Sequence, residues 1–357
     1  MNLKSTLIKS ISLVLLFAAA SSLPAQVFWS EDFSGGMPAD WTTVDTSGHE
    51  VIWSWCGDPL GTVGDCSPIF DDDINGQSPF AATTSDNGFM TVNSDAYNTP
   101  ASDPHVSILA TNAIDCSAQS VVWIKFEAHI GVFDLDANTN AFLRVSTDSI
   151  TWTDYACFPD LTTTVRWSEN PEDVIFDLTD VAAGQSTVYL QWIWTGGWEY
   201  FWNLDDVILT SVNPTPPHDI QVNSNWFAIA PNARVPVTQI EQFGFIADVE
   251  NEGSLNQTNV NLRVTIEDEA NLGTFLYDET LGYGTVDAGT LVENVLFPDD
   301  GFTPAASVAT YVGTYAITSD SSALDAEPED NTITFDFEVT ENLFAKDRGV
   351  TRIISPA

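Results

Sequence analysis

Residues 202–207 read Trp-Asn-Leu-Asp-Asp-Val, and residues 30–33 read Ser-Glu-Asp-Phe. Each stretch lies at the edge of an apolar run with the character of a β-strand. Carboxylates placed where a first and a last strand begin can meet when two sheets close into a sandwich, and buried acids that meet need a cation. Calcium prefers oxygen ligands of this kind, and Glu31 and Asp205 are the best-placed candidates.

Apolar runs suited to β-strands recur along the chain, and several of them alternate with polar residues. Turn-rich stretches separate these runs, and helix signals are nearly absent. The sequence therefore predicts an all-β protein with antiparallel pairing. The clearest strand signals are residues 121–128, 141–146, 187–194, 202–209, 243–249, 260–266 and 333–339.

Residues 1–25 have the layout of a secretory signal peptide, in which Lys4 and Lys9 precede an apolar run and Ala25 precedes the cleavage point. The alternative is a membrane anchor, but the run is shorter than the ~20 residues of a spanning helix. No later segment approaches that length, so we expect no membrane insertion after signal cleavage. The chain is predicted to be secreted or displayed at the cell surface.

A proline-rich linker at residues 213–217 separates two stretches that each have the length of one β-sandwich, residues 26–212 and 218–340. Residues 341–357 form a tail or the start of a connection to a further domain. The formal net charge of −41 makes nucleic acid and anionic membranes poor partners. So much negative charge indicates either bound cations or a surface suited to a saline habitat.

Four cysteines in an exported chain indicate disulfides. Cys56 and Cys66 are the local pair, which leaves Cys116 to pair with Cys157. Four cysteines allow other pairings as well, and the spacing alone does not decide among them.

Four motifs occur in order along the first half of the chain: EDFSGGMP at 31–38 with Trp41, GFMTVNSD at 88–95, RVSTD at 144–148 before Trp152, and WNLDDV at 202–207. This series resembles the MAM-like jelly-roll of the cleaved-adhesin and choice-of-anchor J type, which is common in secreted proteins of Bacteroidetes. The resemblance covers nearly all of residues 27–212, and it implies a structural calcium bound at Glu31, Asn93, Asp95 and Asp205. The alternative is that these acids cap strand ends in solvent. Asp32 and Asp206 fall on the opposite face by the period of two and are reserve ligands.

Residues 218–340 contain the pieces HDIQV at 218–222, ADVENEG at 247–253 and EDNT at 329–332. With these pieces, residues 218–340 resemble the CARDB-type, immunoglobulin-like adhesion module. The predicted architecture is therefore a jelly-roll β-sandwich followed by an immunoglobulin-like β-sandwich.

Two acidic loops are further candidates for cation binding. Residues 71–76 match the opening of an EF-hand loop, but Ala82 stands where the bidentate glutamate belongs. Residues 134–140 carry similar alternating oxygens without the glycine. Each loop is either a loose calcium loop or a solvated turn.

Aromatic residues crowd around Gly196 and Gly197. Most of them are expected to pack in the core, but rings at a loop can also stack on sugars. Trp198 and Tyr200, which are closest to the glycine pair, are the candidate ligand-binding residues.

The sequence shows no metalloprotease, nucleophile-elbow or paired-carboxylate motif, so we expect no enzyme. The favoured function is a secreted binding or adhesion protein in which a calcium-stabilised jelly-roll engages a glycan or protein. One alternative is the accessory region of a larger secreted peptidase or polysaccharide-degrading enzyme. The other is a structural extracellular spacer without a specific ligand.

Overall fold

The computed structural model describes residues 27–64, 66, 79–97, 99–100, 102–133, 140–159, 161–162, 165–197, 199–223, 233–297 and 301–341. The chain divides into two compact units, Met1–Val212 (unit 1) and Asn213–Ala357 (unit 2). Several sequence predictions lie outside the described residues: the signal peptide, the loop at 71–76, residues 134–139 of the second acidic loop, Trp198, and the tail beyond Glu341.

Unit 1 is a sandwich of two antiparallel sheets, as the strand signals predicted. One sheet has the strand order β3-β4-β11-β6-β9, with β1 also paired to β11, and the other has the order β2-β5-β10-β7-β8. The strands are β1 Val27–Glu31, β2 Thr42–Asp45, β3 Ser54–Cys56, β4 Phe89–Asn93, β5 His105–Ala110, β6 Trp123–Gly131, β7 Asn140–Ser146, β8 Thr153–Ala156, β9 Glu172–Asp177, β10 Tyr189–Gly196 and β11 Phe201–Thr210. Among the described residues of unit 1, the helical elements are α1 Thr179–Ala182 and a 3-10 turn, Ser85–Asn87.

The core of unit 1 is built from residues that alternate inward along the central strands. Strand β10 buries Trp192 and Trp194, and β11 buries Trp202. The Trp192 ring lies 5.8 Å from that of Trp41, and the Trp202 ring lies 5.1 Å from that of Trp53. The rings of Trp53, Trp192, Trp194 and Trp202 are among the largest fully buried side chains, and Trp194 on β10 contacts Trp202 on β11 at 6.4 Å, which joins the two sheets.

Strand β11 has two short partners that follow one another along one of its edges. Strand β4 pairs with residues 201–204 and β1 pairs with residues 207–210, whereas β6 runs along the opposite edge. Asp205 and Asp206 therefore lie between the ends of two strands. The β6 pairing also shifts register between Asp205 and Ile208. This interruption, which we call the β11 gap (Asp205 and Asp206), places both acids of the predicted motif at a break in the sheet.

Unit 2 is also a β-sandwich, with sheets ordered β12-β14-β17 and β13-β19-β18-β15-β16. Its β13–β19 pair is parallel, which differs from the predicted all-antiparallel pairing. Two short 3-10 turns, Glu269–Asn271 and Ser322–Leu324, connect strands. The strands are β12 Ile220–Asn223, β13 Arg234–Pro236, β14 Ile246–Asn251, β15 Gln257–Asp268, β16 Phe275–Val286, β17 Thr290–Leu296, β18 Ala309–Thr318 and β19 Thr332–Thr340.

The end of the predicted linker is part of unit 2. The Ser254 amide donates to the carbonyl of Pro216 at 2.7 Å, and the Leu255 amide donates to that of Pro217 at 3.1 Å. Residues 216 and 217 are thus hydrogen-bonded to unit 2, where the sequence predicted an extended linker.

One predicted disulfide forms and the other does not. Cys56 and Cys66 are bonded, with their Cα atoms 4.8 Å apart. Cys116 and Cys157 are free and buried, so the predicted second bridge is wrong.

Cys116 and Cys157 cannot form a disulfide because they lie near opposite ends of β10. Cys116 follows Ile114, which bridges to Val188, while Cys157 hydrogen-bonds Ala141, which pairs with Trp194. The six-residue span from Val188 to Trp194 corresponds to ~20 Å of strand, far beyond the reach of a disulfide.

Within the described part of the chain, no helix is both long and apolar enough to span a membrane.

Candidate metal centre and aromatic rim

The β11 gap contains a fully buried carboxylate with an unpaired oxygen. Oδ1 of Asp205 accepts a hydrogen bond from the Asp206 amide at 2.8 Å, whereas Oδ2 has no hydrogen-bond partner. Burial raises the pKa of Asp205 to about 8, and repulsion from Asp206, Glu127 and Asp32 adds to the effect. A buried acid in this state is either protonated or neutralised by a cation.

Two neighbouring acids anchor one loop beside the gap. Glu127 on β6 accepts hydrogen bonds from the amide and hydroxyl of Thr83, at 2.5 and 2.7 Å. Asp206 accepts from the amide and hydroxyl of Thr84, both at 2.9 Å. These carboxylates are therefore held in place by the segment that leads into β4, and they hold negative charge close to Asp205.

The backbone at this site departs from the regular strand period. Asp206 has a φ of 47° and Phe33 a φ of 49°, both in the left-handed region. Asp32 and Asp206 both act electrostatically on Asp205, although a period of two would turn them to the opposite face. Asp206 lies within the β11 gap, where the strand period is interrupted, whereas Asp32 directly follows β1 and is exposed.

The four predicted calcium ligands fall into two groups. Glu31 pairs with Val207 beside the gap, its Oε1 accepts a hydrogen bond from the Phe33 amide at 2.9 Å, and burial raises its pKa. Asn93 pairs instead with Phe201, which lies four residues before Asp205, or ~13 Å along the strand.

Asp95 lies at the same distant end as Asn93, because its amide donates to the carbonyl of Tyr200 at 3.1 Å. The side-chain oxygen of Asn93 accepts from the Ala96 amide at 3.0 Å, which closes the turn there. Calcium–oxygen distances of about 2.3–2.6 Å do not allow one ion to contact both groups. Glu31 and Asp205 therefore belong to the gap, while Asn93 and Asp95 belong to the opposite end of β11.

The gap fits a calcium ion by its donor chemistry. Asp205 offers a buried oxygen without a partner, and the acids around it repel its charge in the absence of a cation. None of the ion pairs found among the described residues involves Asp205. Glu127 was missed by the sequence reasoning, although an acid inside the apolar run 121–128 is itself a signal of a buried polar role.

Partly exposed aromatic side chains gather at the opposite end of β11. We call this set the aromatic rim: Tyr97, Phe133, Trp167 and Tyr200. The Trp167 and Tyr200 rings stack 4.8 Å apart at an interplanar angle of 28°. Tyr97 is 45% exposed and Phe133 is 46% exposed.

The backbone holds this rim on the end of the sandwich. The Tyr200 amide donates to the carbonyl of Gly131 at 3.1 Å, and the Phe133 amide donates to Oε2 of Glu199 at 2.5 Å. A Cβ atom at Gly131 would lie 2.1 Å from the Trp167 ring, so only glycine lets that ring cross the strand. Trp192, Trp194 and Trp202 are buried in the core, as the sequence favoured for most of these rings.

His129 contacts Phe201, whose ring contacts Trp167 of the rim, and it makes the stability of unit 1 sensitive to acid. It is buried, its Nδ1 lies 3.0 Å from the carbonyl oxygen of Glu169, and its ring contacts that of Phe201. Burial lowers its pKa to about 4 from an ordinary value of 6.5. The unfolded chain therefore binds a proton at a higher pH than the folded chain does.

We expect this difference to destabilise unit 1 as pH falls from 6.5 towards 4, with a loss of about 2 kcal/mol at pH 5 from His129 alone. Urea unfolding followed by tryptophan fluorescence at pH 7 and pH 5 measures it. His129→Gln should reduce the pH-dependent loss, whereas His49→Gln at a partly exposed position is the matched control. An equal loss in wild type and His129→Gln would contradict the assignment.

Several known structures match part of the chain at low sequence identity. The K1 cleaved adhesin domain of Lys-gingipain from Porphyromonas gingivalis W83 matches with a TM-score of 0.33 and 15% identity, over 52% of this chain and 98% of that one. TmCBM61 in complex with β-1,4-galactotriose matches with a TM-score of 0.29 and 10% identity, over 50% and 92%. A CARDB domain from Pyrococcus furiosus, in complex with di-metal ions, matches with a TM-score of 0.24 and 16% identity, over 35% and 90%.

Cleaved adhesin and CARDB domains are the two kinds of domain that the sequence motifs resemble. At these TM-scores and identities the likeness supports no conclusion about any residue or activity of this chain. No protein-family description matches the sequence, and no curated protein matches it either.

Proposed function

We propose that this chain is a non-catalytic binding protein, secreted or held at the cell surface, that engages a glycan or protein through the aromatic rim of unit 1. Calcium bound at the β11 gap stabilises the sandwich that carries the rim. The observation that supports this proposal most directly is the stacked Trp167–Tyr200 pair, which is partly exposed at the end of the sandwich.

Aromatic rings in this position match the chemistry of glycan recognition. A ring offers its face to the C–H groups of a sugar, and a phenol adds a hydrogen-bonding group at its edge. Exposed aromatic side chains that cluster at one place usually mark an interaction surface. The rim combines both features, and the adjoining turn is tied to it by the Asp95 amide, which donates to the carbonyl of Tyr200.

The environment of the protein is part of the same proposal. The Cys56–Cys66 disulfide is stable in oxidising compartments, such as the outside of the cell. Millimolar calcium is available there, which suits a weak site with few ligands. The net charge of −41 also fits a protein that binds cations and avoids nucleic acid.

An array of polysaccharides and matrix proteins, probed with the full chain in calcium and in EDTA, tests this function. We expect a specific ligand whose binding weakens about tenfold in Tyr200→Ala and in Trp167→Ala, which is the loss of one ring-stacking contact. Trp152→Ala is the matched control, because Trp152 is a partly exposed tryptophan outside the rim.

Each outcome of the array separates the candidate functions. Binding that is lost in both rim variants and kept in the control supports the proposal. A blank array with folded protein would contradict a binding function and leave the structural spacer. Binding that survives both rim variants would keep the function but move the site away from the rim.

A further inference from the structure

A second cluster of acids lies in unit 2, away from both sites described above. Asp219 directly precedes β12, and Asp325 and Asp330 lie in the segment that leads into β19. One carboxylate oxygen from each residue lies within 4.8 Å of the other two. The fold thus brings the start of unit 2 against a segment more than a hundred residues later.

The cluster contains buried oxygens that have no partner. Asp219 is only 6% exposed, and its Oδ1 accepts no hydrogen bond. The Oδ1 atoms of Asp330 and of the adjacent, buried Asn331 are also buried without partners. Burying such an oxygen costs the full free energy of its lost hydration unless a proton, a water or a cation binds to it.

Asp325 is held in a fixed position within the cluster. Its Oδ1 accepts from the Glu327 amide at 3.2 Å, and its Oδ2 accepts from the Ile220 amide at 3.3 Å. On the other side, the Gly253 amide donates to the carbonyl of Asp219 at 3.1 Å. A Cβ at Gly253 would lie 2.9 Å from the Asp219 nitrogen, so the glycine allows β14 to end close against Asp219.

No basic side chain neutralises these acids among the described residues. The ion pairs of unit 2 found there are Arg234–Glu338 and Arg263–Asp278, both outside the cluster. Burial, together with repulsion from Asp325 and Glu327, raises the pKa of Asp219 to about 6. The same causes, with Asp219 added, raise the pKa of Asp330 to about 7. The carboxylates are thus close together and uncompensated.

We propose that Asp219, Asp325 and Asp330 bind a divalent cation in unit 2, and that calcium is its best match. Ligands on opposite sides of a calcium ion lie up to ~5 Å apart, which accommodates the observed spacing of the three oxygens. Magnesium requires shorter bonds in a stricter octahedron. The cation would tie the entry to the first strand of unit 2 to the entry to its last strand. This site stands independently of the proposed binding function of unit 1.

The full chain tests this proposal by hydrogen exchange and calorimetry. We expect calcium at about ten times its Kd to slow amide exchange roughly tenfold in segments 218–223 and 325–333. Isothermal titration of Asp205→Asn with calcium should still show one site, since this variant removes only the β11 gap. The double variant Asp205→Asn/Asp330→Asn should show none.

Asp336→Asn is the matched control, because Asp336 is an exposed acid on β19 and its replacement makes the same change in charge. Asp330→Asn should fold, since it removes a repelled charge, and Asp325→Asn provides a second variant. Calcium-dependent protection that disappears in Asp330→Asn but persists in Asp336→Asn supports the site. Wild-type exchange that does not respond to calcium, or an equal response in Asp330→Asn, would overturn it. Either result leaves the array test of unit 1 unaffected.

Discussion

Removal of calcium is expected to lower the free energy of unfolding of unit 1 by about 2.7 kcal/mol, compared with protein at a calcium concentration about a hundredfold above its Kd. The reason is that Asp205 is buried, one of its oxygens has no partner, and three further acids repel its charge. Tryptophan fluorescence during urea unfolding isolates unit 1, because of the twelve tryptophans all except Trp226 precede residue 213.

Asp205→Asn should abolish this calcium response. Asp180→Asn, which replaces an exposed acid in the same unit, should keep it and is the matched control. If the unfolding midpoint of wild-type unit 1 is the same in millimolar calcium and in excess EDTA, the result contradicts calcium binding at the β11 gap.

The pH dependence of the stability of unit 1, measured in EDTA, is a second test of the Asp205 carboxylate. The folded pKa of Asp205 is about 8, above its ordinary value of 3.8, so the folded protein binds a proton that the unfolded chain has released. The stability contributed by this proton is complete below pH 3.8 and is lost as pH rises through about 8. Asp205→Asn should lack this loss, and the stabilisation that calcium gives to wild type should grow with pH over the same interval.

Trp202→Ala is expected to destabilise unit 1 by about 3–5 kcal/mol, the usual cost of removing a fully buried large aromatic side chain. Trp202 is buried on β11, where its ring lies 5.1 Å from Trp53, 5.6 Å from Phe158 and 6.4 Å from Trp194. Its loss opens a cavity between the two sheets that rigid neighbouring rings cannot fill.

Urea midpoints at constant m-value measure this effect, and Trp152→Ala controls for the loss of a fluorophore. Trp152 is partly exposed, so its replacement should cost much less. A loss below about 1 kcal/mol in Trp202→Ala would mean that the inter-sheet core does not depend on this ring.

The strands of both units could be predicted because their apolar side chains face the interior of the sandwich and so recur in a strand-like pattern. The predicted run 121–128 overlaps β6 from residue 123 onward, 141–146 lies within β7, and 260–266 lies within β15. The meeting of the two acidic motifs was also predicted, and Glu31 does pair with Val207. The parallel β13–β19 pair was not predicted, because pairing direction depends on the path of the intervening chain.

The candidate site was predicted less completely, since it depends on an irregularity. The register shift after Asp205 and the left-handed backbone of Asp206 interrupt β11 at the motif itself, which periodicity cannot show. Asn93 and Asp95 occur in order along the chain with the other motif residues. Sequence order does not reveal that they lie beside Phe201 and Tyr200, several residues along β11 from Asp205.

The aromatic rim shows the same limit. Tyr200 was singled out because of its glycine neighbours, whereas its stacking partner Trp167 comes from a distant loop. Phe133 and Tyr97 come from two further segments. The segment of Tyr97 reaches Tyr200 through the Asp95 amide, which donates to the carbonyl of Tyr200. Residues from four segments come to the same end of the sandwich only after folding, so local patterns give no sign of the set.

The position of β11 at the centre of its sheet has a kinetic consequence. It is the last strand of unit 1 in sequence, yet it lies between β4 and β6 and also pairs with β1, the first strand. Until residues 201–210 insert, β4 and β6 each present an open edge. The pairing of β1 with β11 joins residues that are separated by nearly the whole sequence of unit 1. Unit 1 should therefore fold slowly and in one cooperative step, with no stable half formed earlier, because its central pairing must wait for the longest loop to close.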